Sequence, residues 1–172
     1  MNLDILHKMR SIYLGAEIKE KSLRGKASPY RIESPQDCGI KGANAVSPYM
    51  LSLERLGKAA LIDDYWEVFL LFGAAIQIID DWQDLEGDLA AGHFSYVTLG
   101  ADLRSAARSP KKLARRLRAD RQRVRDTYDR SKAMIAQSRS ILARLNDPFL
   151  GRLVDVTELR LDSYFRNELK LA

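Results

Sequence analysis

Leu70–Asp88, LLFGAAIQIIDDWQDLEGD, decides how the rest of the chain is read, because an almost wholly apolar helix runs straight into five acidic residues. From Tyr65 to Ile79 only Glu67 and Gln77 are strongly polar, which predicts a helix buried nearly all round. Gly73, Gln77, Asp80, Asp84 and Asp88 recur along one helical face. Asp81 lies roughly 100° round the axis from Asp80 and about 60° from Asp84, so the acids share a wall. Two carboxylates about 5 Å apart repel by roughly 3 kcal/mol at an effective dielectric near 20, and burial adds a desolvation penalty. A hard divalent cation reverses that balance. Mg²⁺ takes a few carboxylate oxygens, keeps several waters and completes its shell with substrate phosphate. A solvated helix end that carries acids for solubility is the plain alternative.

The 172 residues, 46% of them hydrophobic, suffice for one compact domain over 1–172. No run of 18 apolar residues occurs, so no transmembrane segment is expected. MNLDILHKMR lacks the apolar region of a secretory signal, and the expected location is cytoplasmic. Cys38 is the only cysteine, which excludes an intramolecular disulfide and a cysteine-based zinc site. Residues 1–100 carry 10 Lys/Arg and 14 Asp/Glu, whereas residues 101–172 carry 18 and 9, for an overall +5. Eleven of those bases fall between Arg104 and Arg130, a run that attracts phosphate, anionic lipid or nucleic acid unless it is simply a solvated helix face.

Strand alternation is almost absent and helical periodicity dominates, so the chain reads as all-α. Asn2 to about Ser22 carries an apolar stripe, and residues 24–37 hold Gly25, Pro29 and Pro35, which predict a loop or a short broken helix. A helix from about Cys38 to Leu56 ends at Gly57 and is kinked by Pro48. Asp64-Tyr-Trp-Glu67 has the form of a capping box that opens the acid-ended helix. Ser109-Pro110 starts a long helix whose stripe runs from Leu113 to Leu145. Asp147-Pro148 starts the last, with Leu150, Leu153, Leu161, Tyr164 and Phe165 facing inward.

Gly73, Gln77, Asp80, Asp81, Asp84, Gly87, Asp88 and Gly92 keep the anchors of the second aspartate-rich motif of isoprenyl diphosphate synthases. The chain resembles the second half of that family, the trans-prenyltransferases of the class I terpenoid synthase fold. The match is good over residues 38–100; elsewhere the helices are compatible with it. The resemblance implies a truncated helical bundle of about five to six helices of the class I isoprenoid synthase type. It also implies Mg²⁺-dependent prenyl transfer from an allylic diphosphate to isopentenyl diphosphate, or diphosphate binding within such an enzyme. Asp80 would bind Mg²⁺ directly, and Asp81 and Asp84 would hold the metal's waters. Lys41, followed by Pro48 and Tyr49, stands about where the family has a diphosphate-gripping lysine, and Gln77 would orient water or the growing chain. Both would be catalytic and substrate-binding. His93, where the family has lysine, would meet the diphosphate as a weaker, neutral partner. Tyr65, Phe69 and Phe72 would line a prenyl cavity, although core packing is their plainer role.

The family carries a first aspartate-rich motif on a facing helix and is nearly twice as long; no such acidic cluster precedes Asp63. The missing half would come from a longer native chain or from a partner subunit in a homo- or hetero-oligomer. A non-catalytic homologue that stabilises a full-length synthase is the competing expectation. A basic helical nucleic-acid-binding protein is a third, disfavoured by the apolar residues interleaved in the Arg-rich run and by the lack of a DNA-binding motif.

Overall fold

The acid-ended helix forms the centre of an all-helical structure. The computed structural model describes His7 and residues 47–93, 95–101 and 108–170, and no strand occurs among the described residues. The helices are α1 (Ser47–Arg55), α2 (Ile62–Gln83), α3 (Leu85–Ala91), α4 (Pro110–Ala119), α5 (Arg121–Leu145) and α6 (Pro148–Asn167), with single 3₁₀ turns at Ala59–Leu61 and Tyr96–Thr98. The expected N-terminal helix, the loop or short broken helix over 24–37, Cys38 and Lys41 lie outside the described residues.

Helix α2 is buried as its sequence requires, with Val68, Leu71, Ala74, Ala75, Ile78, Ile79 and Trp82 almost wholly withdrawn from solvent. Its broadest contact is with α5, which packs in turn on α6; α1 and α6 also touch α2, and α3 packs on α4. Tyr65 and Phe69 belong to this core and Phe72 packs against it. Both Tyr65 and Phe69 meet the Tyr49 ring edge-on, at centroid distances of 5.2 and 5.8 Å. No helix among the described residues is long and apolar enough to cross a membrane.

Helix ends explain where the elements stop. Gly57 takes a left-handed φ of 70°, and the N–H groups of Gly57 and Lys58 bond back to the carbonyls of Glu54 and Leu53, closing α1. Helix α2 starts earlier than the capping-box pattern predicts. It grows directly from the 3₁₀ turn, with Leu61 at the cap position and no side-chain cap, which leaves Asp63 and Asp64 inside the first turn. There they face the positive end of the helix dipole. Glu67 instead accepts a hydrogen bond from Gln137 on α5 at 2.7 Å.

The long helix expected from Ser109 is two helices broken at Asp120, whose carboxylate accepts the Arg123 N–H at 3.1 Å. Helix α6 begins as predicted at Asp147-Pro148. Leu150, Leu161 and Phe165 face inward, but Leu153 is 43% exposed and joins Phe149, Val156 and Leu159 on an open face. Between α5 and α6, Lys132 pairs with Glu158 and with Asp162 at 3.1 Å, and Arg139 pairs with Glu158 and with Asp155 at 2.8 Å.

Asp147 joins three helices. One oxygen accepts the Leu150 N–H at 3.0 Å, and the other accepts the hydroxyls of Tyr65 at 3.0 Å and Tyr49 at 3.2 Å. Burial alone would raise its pKa, but these hydrogen bonds outweigh burial and hold it below the usual carboxylate value. Asp147→Ala removes a cap worth about 1 kcal/mol and the charged acceptor of two phenols, so a loss of about 2 kcal/mol is expected. Urea unfolding should show a lower midpoint at unchanged slope.

Candidate functional site

The acids at the end of α2 separate into two pairs. The backbone ladder continues through the break, with Asp84 N–H bonded to the Asp80 carbonyl at 2.8 Å and Asp88 N–H to the Asp84 carbonyl at 2.9 Å. The side chains diverge. Asp81 is 5% exposed, accepts a hydrogen bond from Gln77 Nε2 at 2.9 Å and feels the charge of Asp88. Asp80 is half-exposed, with Asp84, itself exposed, as its acidic neighbour.

These surroundings act on the carboxyls in different ways. Burial pushes Asp81 up to about 6; the Gln77 amide and the Tyr96 N–H oppose that rise and the charge of Asp88 adds to it. Burial likewise raises Asp80, Arg160 pulls it down and Asp84 pushes it up. Asp80 Oδ1 lies 3.5 Å from an Arg160 guanidinium nitrogen that is equally far from Gln83 Oε1.

Beside Asp80 opens a cleft of about 550 Å³, lined by Gln83, Arg118, Arg160, Ser163, Tyr164 and Glu168 among others. Arg118 reaches it from α4 while donating to the Trp82 carbonyl at 2.9 Å and the Gln83 carbonyl at 3.4 Å. A cation thereby closes the negative end of α2. Burial pushes the Tyr164 hydroxyl up to about 12, opposed by Arg118 and reinforced by Glu168 and Asp84. These charges therefore act within one neighbourhood. Arg118 and Arg160 carry no local motif, and nothing in the sequence around them marks them as neighbours of Asp80. Other members of the Arg-rich run also bond to backbone carbonyls: Arg121 to Leu169 and Lys170, and Arg123 to Val97 and Leu99.

Of the remaining expected site residues, Gln77 is held by Asp81 rather than by the cleft. His93 Nδ1 sits 3.7 Å from Asp88, on the inner pair's side. Lys41 lies outside the described residues. Gly92 takes a left-handed φ of 72°, which lets the His93 N–H bond the Asp88 carbonyl at 2.7 Å. A Cβ on Gly87 would meet nothing within 4 Å, so packing does not require glycine there.

Among the described residues no group of three or more His, Cys, Asp or Glu is arranged to hold a metal. The outer pair, Asp80 and Asp84, offers the one or two carboxylates with which proteins hold Mg²⁺ when water and phosphate complete the shell. Asp80 and Asp84 are the carboxylates on the open side of the helix end, and the inward-turned Asp81 is not with them. No protein-family model, no curated protein and no solved structure matches this chain.

Proposed function

We propose that the end of α2 binds the Mg²⁺-complexed diphosphate of an isoprenyl substrate, and that the chain is the acid-bearing half of a prenyltransferase of the class I isoprenoid synthase type. The observation that carries this reading is the Asp80 and Asp84 pair, set on the open side of an otherwise buried helix end. The anchor residues from Gly73 to Gly92, with a left-handed turn at Gly92, support it. Bound Mg²⁺ would supply charge neutralisation for a leaving diphosphate. Asp80 and Asp84 would hold the ion, Gln77 would keep Asp81 in place, and a second copy or a partner subunit would supply the facing acids.

Calorimetric titration with geranyl diphosphate and Mg²⁺ tests the binding. Wild-type protein should bind only in the presence of Mg²⁺, and Asp80→Ala should weaken binding by about tenfold or more, the usual scale for loss of a charged contact. Failure of the wild type to bind allylic diphosphates with Mg²⁺ overturns the reading. Incorporation of labelled isopentenyl diphosphate then reports turnover. The contact between Arg160 and Asp80 favours a second reading, a non-catalytic homologue in which a guanidinium stands beside the metal-binding carboxylate. Diphosphate binding without product, alone or with a full-length synthase, distinguishes it.

A further inference from the structure

We infer that the solvent face of α4 is a docking surface for an anionic lipid bilayer, held by charge alone. Residues 108–119 carry six bases, Arg108, Lys111, Lys112, Arg115, Arg116 and Arg118, and no acid. Arg118 turns to the end of α2. The other five are exposed, and none of them has an acidic partner among the described residues.

Helical geometry gathers four of the five into a block. Lys111, Lys112, Arg115 and Arg116 stand at i, i+1, i+4 and i+5, two neighbouring pairs one turn apart, so they share an arc of about 140° over about 7.5 Å of helix. Arg108 lies just ahead of them. The opposite arc, Leu113, Ala114 and Leu117, is buried, and α4 packs on α3. Lys111 and Lys112 fall in a first turn that holds no acid, so they also face the positive end of the helix dipole. Bases on α5 are tied down instead: Lys132 to Glu158 and Asp162, Arg139 to Asp155 and Glu158, and Arg144 to Asp64. An anionic surface laid against the block relieves the mutual repulsion of its cations.

Four to eight bases on an amphipathic helix are the pattern that binds anionic headgroups, each base adding to the attraction within a Debye length. Two considerations favour lipid over nucleic acid. The face has no aromatic side chain between its cations on which bases would stack. The isoprenyl ligand proposed for the end of α2 is an amphiphile whose apolar tail partitions into bilayers, and the choice of lipid rests on that reading. Leu113 and Leu117 are committed to the core, so α4 has no large apolar residue left to insert. The contact is therefore peripheral and sensitive to salt.

Co-sedimentation of the full chain with vesicles, in buffer free of Mg²⁺ and diphosphate, tests the surface. Wild type should sediment with phosphatidylcholine vesicles that contain phosphatidylserine at about 0.05 M salt, and not at about 0.5 M or with phosphatidylcholine alone. Lys111→Gln, Lys112→Gln, Arg115→Gln and Arg116→Gln combined should lower the partition coefficient about a hundredfold or more, and the Arg115→Gln, Arg116→Gln pair about tenfold. Arg55→Gln, Lys58→Gln, Arg152→Gln and Arg166→Gln combined remove the same net charge from exposed positions on other elements, and should lose much less. Melting curves of all variants should match that of wild type. Equal losses in the two fourfold variants would reduce the effect to net charge and overturn the inference. Failure of wild type to bind, or binding that survives high salt, also overturns it. A duplex oligonucleotide that strips wild type from the vesicles at equal phosphate concentration would assign the face to nucleic acid instead. Vesicle binding without diphosphate and diphosphate binding without vesicles are separate readouts, so each can fail while the other stands.

Discussion

Asp81→Asn is expected to stabilise the protein by about 2 kcal/mol at pH 8 and to leave it nearly unchanged at pH 4. The carboxyl is 5% exposed and burial lifts it to about 6, against an ordinary value of 3.8. Below pH 3.8 the group is protonated in both the folded and the unfolded chain and adds no pH-dependent term. Between 3.8 and 6 the folded state holds the proton that the unfolded state has released, so stability falls as pH rises. Above 6 the loss is complete. At 1.36 kcal/mol per pH unit the ceiling is roughly 3 kcal/mol, and relaxation around the charge reduces it to about 2. Asparagine retains an oxygen for Gln77 and carries no charge to desolvate. Denaturant unfolding at pH 4 to 8 should therefore show a wild-type slope that the variant lacks; a variant less stable than wild type at pH 8 would refute this account.

Trp82→Ala should have the largest effect on the fold, a loss of about 4 kcal/mol, in the range found for deletion of a buried aromatic side chain. Trp82 is fully buried between the acids of the DDWQD segment, and its indole N–H donates to Thr127 Oγ1 on α5 at 3.1 Å. The single hydroxyl proton of Thr127 is in turn shared between the carbonyls of Arg123 and Val124, both at 2.9 Å, so the link is a complete chain of donors and acceptors. Trp82→Phe keeps most of the volume and loses the hydrogen bond, and should cost about 1 to 2 kcal/mol. Circular-dichroism melts of the two variants separate packing from polar anchoring. Because Trp82 adjoins Asp81 and fastens the end of α2 to α5, the alanine variant should also loosen the acid pairs.

Much of the architecture follows from patterns readable along the chain. Burial of α2, the turn at Gly57 and the starts at Ser109-Pro110 and Asp147-Pro148 each rest on a few consecutive residues. The break at Asp120 was hidden because Leu117 and Val124 are seven residues apart, so the apolar stripe crosses the interruption in phase. Asp64 and Glu67 satisfied a capping pattern, but the preceding 3₁₀ turn had already started the helix. Leu153 lies about 60° from Leu150 on the side away from Val154, just outside the buried arc of α6. At the site, residue spacing brought the acids together on one helix. It carried no information on how α3 and the turn after Gly92 would bury Asp81 and leave Asp80 open. Arg160 was beyond its reach, because it is 80 residues from the carboxylate it meets, and Arg118 stood out only as one base of the run from Arg104 to Arg130.

The triple role of Asp147 also bears on the order in which the chain folds. Its bond to the Leu150 N–H spans three residues and forms as soon as α6 nucleates, whereas its bonds to Tyr65 and Tyr49 close loops of 82 and 98 residues. Loop closure over such lengths is entropically costly and slow relative to local turns. The same carboxylate therefore acts early as a local start signal for the last helix and late as the latch that fastens the first and central helices to it.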